Sequence, residues 1–161
     1  TNGVVPMGVV ACKDEIYDAV MDASPKGAVE LFHGYTYSGI PVSVAAALAV
    51  QEIFEKEDIF NKVKGMVSYF QDALFSLKDL DSVANIRGYG LMGGIDMKMN
   101  TKPGKAGMEC FKSCYDAGVN FKATGDCLII APQFICEKKH IDEIIDKLRT
   151  GITNYQKNQK N

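Results

Sequence analysis

Ile141, Ile144, Ile145, Leu148, Ile152 and Tyr155 recur at helical spacing near the end of the chain, ahead of a polar tail rich in Lys, Asn and Gln. A stripe of that kind folds only if another layer covers it, and the residues before it offer one. Ile95, Met97 and Met99 alternate with Asp96 and Lys98, the period of a strand with one face in solvent. Lys105 to Ala117 reads as a helix, and Val119 to Lys122 and Leu128 to Ile130 read as short strands. Strand, helix, strand, strand, helix is the order of a small α+β domain with helices on one face of a sheet.

The first half reads differently. Met7 to Cys12 is an apolar run with Gly and Pro ahead of it, readable as a buried strand, and Lys13 to Met21 carries Ile16, Ala19 and Val20 at helical spacing. Residues 22–39 hold Pro25, Gly27, Gly34 and Gly39 and read as a long loop, a length that usually means function. Pro41 suits the first turn of a helix, whose Val44, Ala45, Leu48, Ala49 and Ile53 form a small-residue face for close packing. A second helix places Ile59, Val63, Met66, Val67, Phe70, Leu74 and Leu77 on one stripe and is long enough to connect two domains. One strand, a loop and helices close no core, because Val9 and Val10 need strand neighbours. The chain is therefore expected to be the tail of one domain followed by a whole smaller one. Its first residue is Thr1, not Met, and truncation of a longer chain is the expectation.

With 18 Lys+Arg against 20 Asp+Glu, a net charge of -2 gives no electrostatic reason to expect nucleic acid or an anionic membrane as partner. The longest apolar run, Val42 to Val50, is too short to cross a bilayer. No charged n-region precedes an apolar core at the start, so no signal peptide is expected and a cytoplasmic location is the default. Cys12, Cys110, Cys114, Cys127 and Cys136 are an odd number at irregular spacing, the pattern of reduced, largely buried thiols. Cys110 and Cys114 share a helical face. With His33 and His140 as the only histidines, a zinc site is not expected.

Neither a Ser/His/Asp pattern nor a Walker loop is present. Cys12 ends an apolar run and reads as structural despite Lys13 beside it. The glycine-rich run Arg87 to Gly94 reads as a bulged strand entry with close backbone packing. Two stretches are richer in chemistry. Phe32-His33-Gly34-Tyr35-Thr36-Tyr37-Ser38-Gly39 places aromatics, a His and hydroxyls in a Gly-flanked loop just before a helix. Hydroxyls leading into a helix N-terminus are natural phosphate ligands. The same run equally describes an aromatic-packed turn with Ser38 near the helix cap. Phe121-Lys122-Ala123-Thr124-Gly125-Asp126 puts a cation at a strand end before a turn, which by itself is a solvated lysine.

These residues resemble the class III pyridoxal-phosphate-dependent aminotransferases. Thr1-Asn2-Gly3-Val4-Val5-Pro6-Met7-Gly8 is similar to the segment after the cofactor lysine, K-x-x-T-N-G-x-x-P-x-G; the loop from Phe32 to Pro41 resembles F-x-H-G-Y-T-Y-S-G-H-P. Ile86 to Leu91 resembles the family's I-R-x-x-G-L strand, and Phe121 to Pro132 its V-R-x-x-G-D-x-x-x-x-x-P pattern. The nearest resemblance is to ω-amino-acid (β-alanine)–pyruvate aminotransferases, with the taurine–pyruvate enzymes as relatives. What this implies is an α/β protein, the C-terminal part of a fold-type I transferase. The end of the large domain would span residues 1–58, an interdomain helix 59–80, the α+β small domain 81–157 and a polar tail 158–161.

The resemblance further implies pyridoxal 5'-phosphate as cofactor, a small-molecule amino donor, a 2-oxo acid acceptor and a homodimer with shared active sites. Thr36 matches the threonine that binds the cofactor phosphate of the partner subunit, and Tyr35 beside it would bind cofactor and line the substrate pocket. His33 then shapes the loop. The Schiff-base lysine falls just before Thr1, so no catalytic residue is assigned within the chain. The aspartate that pairs with the pyridinium nitrogen and the phosphate-binding glycine loop are not among these residues either. Lys122 stands where the family has a mobile arginine for the substrate carboxylate, and Ile40 where His is common. Lys is a point charge without the bidentate fork of Arg, yet a cation is retained and an acidic substrate fits. Two alternatives remain open: a non-enzymatic fragment that dimerises through the helices at 41–79, or another fold-type I enzyme performing decarboxylation or an intramolecular amine shift.

Overall fold

A computed structural model of the chain describes residues 1–28, 34–99 and 102–159. It divides into two units, Thr1–Glu57 and Asp58–Asn161.

In the first unit, helix α1 runs over Asp14–Asp22, with Asp14 and Glu15 in the turn where the helix dipole favours acid. Tyr35–Tyr37 form one 3-10 turn, and helix α2 follows over Pro41–Lys56 with Pro41 in its first turn. The run from Met7 to Cys12, expected as a strand, enters no ladder. A strand exists through partners for its amides and carbonyls, and no described segment of this unit supplies them, so Val9 and Val10 stay exposed. Cys12 is exposed as well, against the expectation of a structural thiol. The close-packing face expected on α2 is open: Val44, Leu48 and Ile53 are exposed, and Ser43 is the one buried residue among those described in the unit.

The second unit closes a core. Helix α3, Ile59–Phe75, passes into a 3-10 turn at Ser76–Asp79. Strands β1, Val83–Tyr89, and β2, Met92–Met97, form a hairpin. Helix α4, Lys105–Asp116, strands β3, Lys122–Thr124, and β4, Cys127–Ile130, and helix α5, Lys138–Gln159, complete the order. The sheet is antiparallel with strand order β1-β2-β4-β3. Ile86, Ile95 and Leu128, directly opposite one another across three strands, point into the core with Phe70 and Leu74 of α3, Cys110 and Cys114 of α4, and Ile141, Leu148 and Ile152 of α5. The stripes read on α3 and α5 are the ones buried. No helix among the described residues is long and apolar enough to cross a membrane, and no described cluster of His, Cys, Asp and Glu could hold a metal ion.

Two local expectations need correction. The run Arg87 to Gly94 is a hairpin corner, not a strand entry with a bulge: β1 ends at Tyr89 and β2 begins at Met92. The pairing irregularity lies earlier, between Val83 and Asn85. The close packing read there does occur, since a side chain at Gly93 would collide with Leu74. The strand expected at Val119 to Lys122 begins where that reading ended. The Val119 amide still donates to the Cys114 carbonyl at 3.1 Å, finishing α4. Only Lys122, Ala123 and Thr124 oppose Ile129, Leu128 and Cys127 across the turn.

Candidate functional site

The Tyr35–Tyr37 turn is closed by the Ser38 amide donating to the Tyr35 carbonyl at 2.9 Å. Ile40 precedes α2 with no side-chain cap among the described residues, so Ser38 does not cap the helix. Uncapped first-turn amides are donors that an oxyanion can satisfy. Thr36 is exposed in this turn and Tyr35 is only partly covered. From inside α2, the buried Ser43 hydroxyl donates to the Pro6 carbonyl at 3.2 Å. The opening segment is itself folded, with the Thr1 hydroxyl donating to the Val5 carbonyl at 2.5 Å and the Val4 amide to the Thr1 carbonyl at 3.1 Å. Ser43 thus joins the two motifs read in this half of the chain. Phe32 and His33 lie outside the described residues.

Lys122, in the second unit, heads β3 and is exposed on the sheet face away from the helices. Because side chains opposite each other on adjacent strands share a face, Arg87, Gly94, Ile129 and Lys122 form one row across all four strands. Arg87, Tyr89, Met92, Gly94, Cys127 and Ile129 line a depression of about 380 Å3 along this open face. There the Arg87 guanidinium donates to the Asp96 carboxylate and, at 3.3 Å, to the Cys127 sulfur. The Asp96 hydrogen bond leads in holding Arg87 charged above its ordinary range. Burial alone would raise the Asp96 carboxyl, but Arg87, Cys127 and Asn85 together bring it below the usual carboxylate range. Burial, then Asp96, pushes the Cys127 thiol up, so Cys127 is a protonated packing thiol at neutral pH.

The turn after Lys122 is tied from two sides. Gly125, at φ +58°, takes the left-handed conformation at the first position of a two-residue hairpin turn, as type II′ geometry requires. Asp126, at the second, accepts from the Gly104 amide at 2.8 Å and the Gly107 amide at 3.0 Å at the start of α4. Those bonds, Gly104 first, hold its carboxyl below the usual range. Asp126 stands in the Phe121–Pro132 motif, which by itself assigns it no role. The available signal was that Gly104 precedes a helix and has no capping side chain of its own.

Solved aminotransferases resemble this chain in fold. The adenosylmethionine-8-amino-7-oxononanoate aminotransferase of Methanocaldococcus jannaschii is 30% identical with a TM-score of 0.76, over 88% of this chain and 33% of that one. The omega-aminotransferase of Caulobacter vibrioides is 41% identical over 150 residues, 92% of this chain and 34% of its own length. The beta-alanine–pyruvate aminotransferase of Pseudomonas aeruginosa is 36% identical over 158 residues, 94% of this chain and 34% of its own. The class-III aminotransferase family model matches residues 1–152, and the chain belongs to that family. It spans about a third of the length of these relatives.

Proposed function

We propose that the chain is part of an enzyme that moves an amino group from an ω-amino acid of the β-alanine kind, or a related amine, to pyruvate with pyridoxal 5'-phosphate. The observation that carries this reading is the exposed Tyr35–Tyr37 turn ahead of an uncapped α2, within a chain matched to the family over residues 1–152. The residues suit the cofactor: the Thr36 hydroxyl and the open amides of this region are donors for a phosphate oxygen. When bound, the cofactor supplies the carbonyl that takes up nitrogen and the ring that stores electrons.

Thr36 binds the phosphate of the cofactor held by the partner subunit of the complete enzyme, and Tyr35 presents its ring to cofactor and substrate. Lys122 attracts the donor's carboxylate as a point charge, which suits a carboxylate whose distance from the amine varies. A homodimer is supported by the exposed Val42, Leu48 and Ile53 of α2, an apolar set that a second copy would cover. Residues 1–58 are the end of the large domain, 59–80 the connecting helix and 81–157 the small domain, in a cytoplasmic enzyme. The similarity to an omega-aminotransferase and a beta-alanine–pyruvate aminotransferase favours amino transfer over decarboxylation or amine shift.

The test is Thr36→Ala in the complete enzyme. A lost charge-assisted hydrogen bond is worth about 1.5–3 kcal/mol, so the Kd for pyridoxal phosphate should rise roughly ten- to a hundredfold. Unchanged cofactor affinity would remove Thr36 from the site.

A further inference from the structure

We propose that Asp126 is a positioning residue for substrate recognition: its carboxylate fastens the β3–β4 hairpin to the start of α4 and so sets where Lys122 can place its charge. This rests on the reading of Lys122 as the carboxylate contact.

Among the described residues β3 is an edge strand of three residues, paired only with β4. So short an edge has little hold on its own position, and a second anchor has to come from its turn. Asp126 provides one. Its two carboxylate oxygens take different amides, Oδ2 from Gly104 and Oδ1 from Gly107, which fixes the plane of the group. Its own carbonyl accepts from the Met97 amide at 2.8 Å, tying the same turn to β2. The joint has no slack: a Cβ at Gly107 would run into the Gly125 carbonyl oxygen and stand 2.8 Å from the Asp126 Cα. Lys122 lies opposite Ile129 in the hairpin that this turn closes.

The side chain involved makes the anchor matter. An arginine fork orients a carboxylate through its own geometry, whereas an ammonium group has no preferred plane. With lysine at this position, precision has to come from the backbone that bears it. Asp126 is the group that holds that backbone against α4.

The experiment measures KM for an ω-amino acid and for 1-phenylethylamine, an amine without a carboxylate, in the complete enzyme, and follows the ratio of the first to the second. Lys122→Ala should raise the ratio. Asp126→Asn, which keeps one acceptor oxygen and loses the other, should raise it in the same direction by about tenfold or less, short of the ~100-fold that a 1 Å misplacement can cost. Gly107→Ala, which opens the joint without touching its charge, should do likewise. Because Asp126 acts through Lys122, Asp126→Asn should add nothing to the ratio in the Lys122→Ala background. A merely structural role would change both KM values together and leave the ratio alone.

A normal ratio in Asp126→Asn and Gly107→Ala, with Lys122→Ala active in the assay, overturns the positioning role alone. So does an Asp126→Asn effect that persists undiminished when Lys122 is absent. A ratio unmoved by Lys122→Ala overturns the carboxylate reading and the positioning role with it.

Discussion

Asp126 accepts from two backbone amides at the start of α4, Gly104 first and Gly107 second, and its carboxyl is held below the usual range by them. A group whose folded value is depressed contributes its full stability above the unfolded value, about 3.9, and loses it as pH falls through the lower folded value. The Gly104 and Gly107 amide signals should therefore stay constant from neutral pH to about pH 4 and shift only below it; a shift centred above pH 5 would contradict the assignment. The hydrogen bond with Cys114, then burial, pushes the Cys110 thiol far up, while Cys12 is exposed. Iodoacetamide should modify Cys12 in the native chain and leave Cys110 and Cys114 untouched until the chain unfolds, as peptide mapping by mass spectrometry would record. Lys122, Tyr35 and Thr36 were legible as site candidates because each stands in a motif of contiguous residues. Asp126 was not legible as a cap, because its partners lie 22 and 19 positions away. Spacing rules for helix caps see only the residues beside the helix.

At the scale of elements, the seam between α4 and α5 is closely packed. A methyl at Gly151 would stand 2.5 Å from the Cys114 Cα and 2.9 Å from its amide nitrogen, both backbone atoms that cannot rotate away. Gly151→Ala should destabilise the unit by about 1–3 kcal/mol, the cost of overpacking a filled core, seen as a lower urea midpoint. Leu128 is fully buried at the centre of the sheet, and Leu128→Ala should cost about 2–5 kcal/mol by leaving a cavity. An unchanged midpoint in either variant would contradict the packing described. Helices α3 and α5 were readable from their apolar stripes, since a 3.6-residue period survives over many turns. Strand β1 was only partly readable: the resemblance marks a strand at Ile86 to Leu91, but Gly88 and Gly90 blur the alternation, and the hairpin corner between Tyr89 and Met92 was not seen. β3 was misplaced because Val119 and Phe121 are apolar for another reason: Val119 ends α4, and the Phe121 ring packs edge-on against Phe111, centroids 5.4 Å apart.

For the whole molecule, burial is unequal. The second unit holds a continuous core from Phe70 to Tyr155, whereas Val9, Val10, Ile16, Leu48 and Ile53 of the first are exposed. Hydrogen exchange of the 161-residue chain should therefore be faster in α1 and α2 than in α3, α5 and the central strands. Apolar faces this open should also bind a hydrophobic dye; uniform protection of both units would contradict this. That the first half lacks partners was readable from Val9 and Val10 alone. The decisive measurement is transfer of nitrogen by the complete enzyme: 15N-labelled β-alanine is supplied with pyruvate, and the alanine formed is analysed by mass spectrometry. Label in alanine, dependent on added pyridoxal phosphate, is the expected result. A cofactor-loaded enzyme that releases carbon dioxide from the donor, or shifts its amine without labelling alanine, would contradict it.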